Sequence, residues 1–422
     1  MARCLGMMAI ISIMMAGLFL KPSWAENLCG EPRTAADLIV CLEEKSPEIQ
    51  RAKASLAAAE KLVGVAGQIP NPELSAQFST GKIFQDDDFG GQNVRSSETE
   101  VAIVQPIELG GKRSSRKETA KAKIRAAEAD LYAARATGRI LFLTQFNRLK
   151  QLLSEQVLID EALGTFTKLV GQYQRRPALS PEQEVTVAVF RLAADDYRLR
   201  KAEVDDEVTQ VHATLALQTG LRPESFAGYL PSRRVEWPTF ANDTPLNTPF
   251  VAKAEAQVNE AQADLKLAKS ESWPILKLGP FFRLETTSNT NDPFYGLQFE
   301  SPIPVLNLNR KGRAYANQVL MAAETNLDLA KKEQHQSREA LLRIYQRSVA
   351  ILSSTLTDPE VQKKHEKIER LFFQGVVPSA LVIEAHRQLV DFETNRNARE
   401  LAALKAMWGL YALEGKLTEI VP

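Results

Sequence analysis

The chain has 422 residues, 44% of them hydrophobic and 25% charged, which is an ordinary folded composition. Lys plus Arg and Asp plus Glu number 52 each, so there is no basic excess to favour nucleic acid. After the first 20 residues no apolar stretch reaches the roughly 18 residues a membrane helix needs, so any insertion into a membrane falls to β-strands.

The N-terminus pairs Arg3 with an apolar run from Leu5 to Leu20 and small residues at Ser23 and Ala25. That is the pattern of a secretory signal peptide over residues 1–25, since the run is short for a span. Cleavage after Ala25 removes Arg3 and Lys21 and takes the formal charge from 0 to −2. Export leaves Cys29 and Cys41, which an oxidising compartment permits to bridge; spacing alone leaves two free thiols equally open.

The remainder is written twice. At a shift of 202 residues, Pro47, Ala52, Ala54, Ala59, Ala66, Pro72 and Leu74 fall on Pro249, Ala254, Ala256, Ala261, Ala268, Pro274 and Leu276. QPIELGGKR (105–113) echoes SPIPVLNLNRKGR (301–313), and two further pairings keep the same order. Two structural repeats, 26–220 and 249–415, are expected around a Pro-rich linker, 221–248, with a short tail, 416–422.

Each repeat opens on an Ala-rich amphipathic helix, Thr34 to about Gly67 and Pro249 to about Ser272. Two short β segments follow, flanking polar loops at 84–97 and 286–293. A very long helix then runs from Ser114 to Tyr173 and from Gly312 to Phe373. Turns at Pro177–Pro181 and Gly375–Pro378 end these helices, and a second long helix returns to about Thr219 and Glu414. At ~1.5 Å per residue, sixty residues reach roughly 90 Å, the length of a coiled coil or tunnel wall.

The β segments alternate. Leu276, Leu278, Phe282 and Leu284 share one parity against Lys277, Arg283 and Glu285; Tyr295, Leu297 and Phe299 alternate with Gln298 and Glu300. Leu74, Ala76 and Phe78 give a weaker copy. The alternation fits a barrel wall with a wet lumen, or hairpins on a soluble core. Four strands cannot close a barrel and lipid does not tolerate open edges, whereas three chains supply twelve strands. Trp273, Phe281, Phe294 and Tyr295 are placed for a membrane interface.

No catalytic constellation is present. Gly111-Lys112 lacks the rest of a phosphate loop, and His212, His335, His365 and His386 show no metal-ligand spacing. No enzymatic activity, cofactor or metal site is expected, and no nucleic-acid partner.

PNPEL (70–74), QPIELGGKR (105–113) and RLFFQGVVPSALVIEAHRQL (370–389), set in the twofold plan, resemble the TolC-like outer-membrane efflux family. QPIELGGKR is similar to outer-membrane subunits of heavy-metal efflux systems. The resemblance implies a homotrimer, with a twelve-stranded β-barrel in outer-membrane lipid continuous with a periplasmic helical barrel. It implies a passive gated duct working with a periplasmic adaptor and an inner-membrane pump of the resistance–nodulation–division type. Arg175, Arg176 and Pro177, and Gly375, Val376, Val377 and Pro378, become adaptor-contact tips. Glu384 becomes a tunnel constriction, with Leu381 where the family commonly has an acid. Arg175 and Arg176 stand where the first tip should carry glycine. The bland counterparts are plain helix-connecting turns and a solvated Glu384. The alternative for the whole chain is a periplasmic coiled-coil adaptor or scaffold, which would have a single hairpin and no need of alternating strands.

Overall fold

The computed structural model describes residues 29, 32, 34–85, 92–241, 248–287, 290–374 and 376–417. The signal-peptide segment 1–25, the acidic run Asp86–Asp88 and the turn glycine Gly375 lie outside the described residues.

The first repeat contains α1 (Ala35–Lys45), α2 (Pro47–Ala66), β1 (Glu73–Gln85), β2 (Gln92–Glu108), α3 (Lys112–Gln174) and α4 (Pro181–Thr219). A 3-10 turn at Pro223–Tyr229 starts the linker. The second repeat contains α5 (Pro249–Ser270), β3 (Ile275–Thr286), β4 (Asn291–Glu300), α6 (Arg310–Ser354), α7 (Asp358–Phe373) and α8 (Ser379–Leu413).

Two expected helices are each divided. The helix expected from Thr34 to Gly67 breaks at Ser46, whose extended ψ of 124° precedes Pro47 at the first helical position. Proline is welcome there because its missing N–H would be unsatisfied anyway. The helix expected from Gly312 to Phe373 stops at Ser354. It restarts after Thr357, where Glu360 accepts the Thr357 N–H at 2.8 Å in a capping box and Pro359 sits in the first turn. The polar loops are also shorter than expected, because the strands continue to Gln85 and Thr286 and resume at Gln92 and Asn291.

The strand-to-helix junctions repeat physically as well as in sequence. Gly111 caps α3 at φ 71°, and Asn309 caps α6 at φ 52°, both in the left-handed region. Arg113 then donates to the Gly67 carbonyl at 2.7 Å, and Asn309 donates to the Ala268 carbonyl at 2.9 Å. In both repeats the start of the long helix therefore holds the end of the helix before the sheet.

The 63 residues of α3 span ~95 Å and pack along α2, α4, α5 and α8. One core gathers Leu38, Leu42 and Ile49 with Phe142, Phe146, Leu149 and Leu152 of α3, Phe226 and Trp408. Phe142 stacks on Phe146 with centroids 5.4 Å apart. A second core, toward the helical tips, centres on Phe166, Phe190 and Tyr197 with Val390. Between them Asn397, fully buried, donates to Glu155 at 2.9 Å and its carbonyl accepts from Gln151 at 3.0 Å. These bonds join α3 of one repeat to α8 of the other, and satisfy groups that burial would otherwise penalise. Among the described residues no helix is long and apolar enough to cross a membrane.

Candidate functional site: the sheet faces and the helical tips

The four strands form one antiparallel sheet in the order β1-β2-β3-β4. Its register sets Arg283 opposite Glu100, Leu278 opposite Gln105 and Phe299, and Leu74 opposite Ile103. Because side chains alternate, this register sorts the whole sheet into two faces.

One face is polar and cross-linked. Lys277 Nζ lies 2.6 Å from Glu73 on β1, and Arg283 lies 2.8 Å from Glu98 and 2.6 Å from Glu100 on β2. The other carries Leu74, Phe78, Val101, Ile103 and Ile107 with Leu276, Leu278, Phe282, Leu284, Tyr295, Leu297 and Phe299. Leu276 and Leu284 are half-buried, and Leu278, Phe282, Tyr295, Leu297 and Phe299 are exposed. Exposure reaches 78% at Tyr295, 75% at Leu297 and 74% at Phe78, so none of the described residues covers this face. A soluble chain rarely leaves so continuous an apolar surface open. Among the described residues β1 and β4 each have one unpaired edge.

Two aromatics differ from the expected interface cluster. Phe281 and Phe294 have the parity of the polar face, opposite Gly296 and Arg283. Phe281 covers Gly296, where a Cβ would come within 2.4 Å of the ring. Tyr295 keeps the apolar parity and packs on Phe282 at 5.3 Å. Trp273 lies in the turn before β3, its ring so close to Gly110 (φ 68°) that a Cβ there would sit 2.2 Å away.

The two hairpin turns share the far end. Tyr173 beside the first and Phe372 beside the second both pack against the second core. Arg175, Arg176 and Pro177 are exposed, with Arg176 over the Tyr173 ring at 4.8 Å. Val376 and Pro378 are exposed and Val377 is half-buried. α4 begins with Pro181 and a Ser180–Gln183 capping box, and α8 follows Pro378 as its N-cap.

Glu384, in the second turn of α8, is not a lone carboxylate. Arg387 donates to it at 2.7 and 2.9 Å and Gln388 at 2.7 Å. The Arg387 bonds, then Gln388, hold its carboxyl below the usual carboxylate range. Arg387 also reaches Asp391, which accepts from Arg200 of α4 at 2.9 Å.

Spacing along the chain missed one cluster. His365 of α7 and His386 of α8 are both buried, with His365 Nε2 and His386 Nδ1 3.3 Å apart. Burial, then neighbouring His365, pushes His386 down to about 4. Glu369 lies 3.4 Å from His386 Nε2, and Glu161 of α3 lies 3.8 Å from His365 Nδ1. A signal was available: the histidines stand 10 residues before and 11 after Gly375, which makes them opposite in an antiparallel hairpin. Near the start of the chain, Cys29 is bridged to Cys41, with Cα atoms 5.2 Å apart.

A family model described as outer membrane efflux protein matches residues 38–221. The nickel-cobalt-cadmium resistance protein NccC of Alcaligenes xylosoxydans xylosoxydans is 24% identical over 253 residues, 60% of this chain and 57% of that protein. The cobalt-zinc-cadmium resistance protein CzcC of Cupriavidus metallidurans is 26% identical over 257 residues, 59% of this chain and 57% of that protein. The matched stretch thus spans little more than half the length of these curated relatives. The Campylobacter jejuni CmeC outer membrane channel shares the fold at a TM-score of 0.65 and 14% identity, over 90% of this chain and 86% of that one. The family model thus matches the first part of the chain, residues 38–221, and the fold of the CmeC channel is shared over nine-tenths of the chain.

Proposed function

We propose that this chain is one third of a passive outer-membrane efflux duct. Three copies pair β1 of one with β4 of the next, giving a twelve-stranded barrel with its apolar face to lipid and its Lys277, Arg283 and Glu100 face to a wet lumen. The observation that carries this is the sheet itself, with an uncovered apolar face and two open edges. Open edges are intolerable in hydrocarbon, where backbone groups find no water, so lipid exposure demands closure.

The long helices then form a periplasmic tunnel, with most of the mass there, ending ~95 Å from the sheet side of α3. Arg175, Arg176, Pro177 and the segment 375–378 are the surfaces offered to a periplasmic adaptor, which couples the duct to an inner-membrane pump. Glu384, with Arg387, narrows the tunnel above the tips. The resistance proteins NccC and CzcC support divalent metal cations as the exported class. The paired sheet faces and the two hairpins favour this duct over a periplasmic adaptor, which has no use for a lipid-facing sheet.

The test is a cysteine cross-linking scan in native membranes, with Ser75→Cys, Gln77→Cys or Ser79→Cys on β1 and Gln298→Cys on β4. One register should yield dimers and trimers and nothing larger. Failure of every pair to cross-link in isolated outer membranes overturns the proposal.

A further inference from the structure

The helical wall near the second tip contains a cluster that a duct does not require. His365 and His386 are 4% and 1% exposed, yet His365 Nδ1 and His386 Nε2 have no hydrogen-bond partner. Buried polar atoms are nearly always satisfied, so two orphaned imidazole nitrogens, one near Glu161 and one near Glu369, need a reason. Ligand atoms bound at ~2.1 Å around a tetrahedral ion lie roughly 3.4 Å apart; the orphaned His386 Nε2 and a Glu369 oxygen are 3.4 Å apart, and His365 Nε2 lies 3.3 Å from His386 Nδ1. Ligand atoms of His365, His386 and Glu369 all fall within 4.8 Å of one another.

We propose that His365, His386 and Glu369 form a divalent-cation site that clips α7 to α8. Two imidazoles and one carboxylate suit a borderline ion of the zinc or cobalt class over magnesium or calcium, which prefer all-oxygen shells. Glu161, 3.8 Å from His365 Nδ1, is the outer carboxylate that orients the ring, as metal-bound imidazoles commonly have. Phe166, edge-on to His386 at 5.4 Å, closes the apolar side. Entry is from a groove of about 290 Å³ between α7 and α8, lined by His365, Glu384 and Gln388. The site ties together the two helices of the hairpin that ends in the second tip, and it stands whether or not the chain is a duct.

The experiment titrates Co²⁺ into detergent-extracted, chelator-stripped full-length protein and reads the visible bands of four-coordinate cobalt, then displaces it with Zn²⁺. One cobalt per chain is expected, with affinity lowered at least tenfold by Glu369→Gln and the bands abolished by His386→Gln. Zn²⁺ should also raise the melting temperature of the parent protein and not that of Glu369→Gln. Glu369 is half-exposed, so that variant folds even if His386→Gln does not. Absence of the bands, or bands undiminished in Glu369→Gln, means a self-contained imidazole pair and overturns the proposal.

Discussion

Arg283 on β3 grips Glu100 on β2 through Nε at 2.9 Å and Nη2 at 2.6 Å, directly across the sheet from it in register. One pleat away, Phe282 and Val101 face the opposite side, exposed. The two faces therefore answer differently to the same kind of change. Leu297→Lys on the apolar face should destabilise the membrane-inserted form by ~2–4 kcal/mol and weaken the assembly's resistance to SDS on gels. Arg283→Gln should leave that assembly intact and alter single-channel conductance in planar bilayers. Equal tolerance of both changes would remove the assignment of faces.

Gly110 is a backbone requirement. Its φ of 68° disfavours any L side chain, and the Trp273 ring occupies the space a Cβ would take. Gly110→Ala should cost at least ~1–2 kcal/mol from the backbone alone, with the ring clash added. The melting temperature should fall, and Trp273→Ala in the same chain should recover part of the loss.

The pairing of Glu207 with Arg148 sets a pH dependence. Two hydrogen bonds of 2.7 Å from Arg148 hold the Glu207 carboxyl below its ordinary value. A group lowered on folding contributes stability above its unfolded value, ~4.3, and loses it as pH falls through the lower folded value. The melting-temperature advantage of the parent over Glu207→Gln should be full at pH 7 and shrink below about pH 4. A constant gap down to pH 3 would contradict the pairing.

The Cys29–Cys41 bridge closes a short loop, with a sequence separation of 12, and Cys41 is fully buried. Loop-closure entropy of that size corresponds to ~3 kcal/mol. Replacing both cysteines by Ser should lower the melting temperature measurably, and reductant should lower it in the parent alone. Equal melting of parent and variant without reductant would show that the bridge contributes nothing.

What the sequence disclosed follows physical reach. The apolar parity of Leu276, Leu278, Phe282 and Leu284 is a period of two that needs no partner to be seen, and the sheet keeps it. The length of α3 was legible because good helix formers dominate Ser114 to Tyr173 and no proline interrupts them. The breaks at Ser46 and at Thr355–Thr357 were also written, as Ser-Pro and Thr-Asp-Pro-Glu, but a strong helical pattern on both sides masked them. The wrong-face aromatics Phe281 and Phe294 needed strand register to be placed. The His365–His386 pair needed the antiparallel hairpin, since a separation of 21 fits no ligand spacing on one helix.

The central claim is that one chain's sheet is a third of a closed wall. Native mass spectrometry of the protein extracted in detergent from purified outer membranes measures this most directly. A mass of three processed chains, with no monomer at low detergent, is the expected result. A single-chain mass, from protein whose sheet is folded, would contradict it.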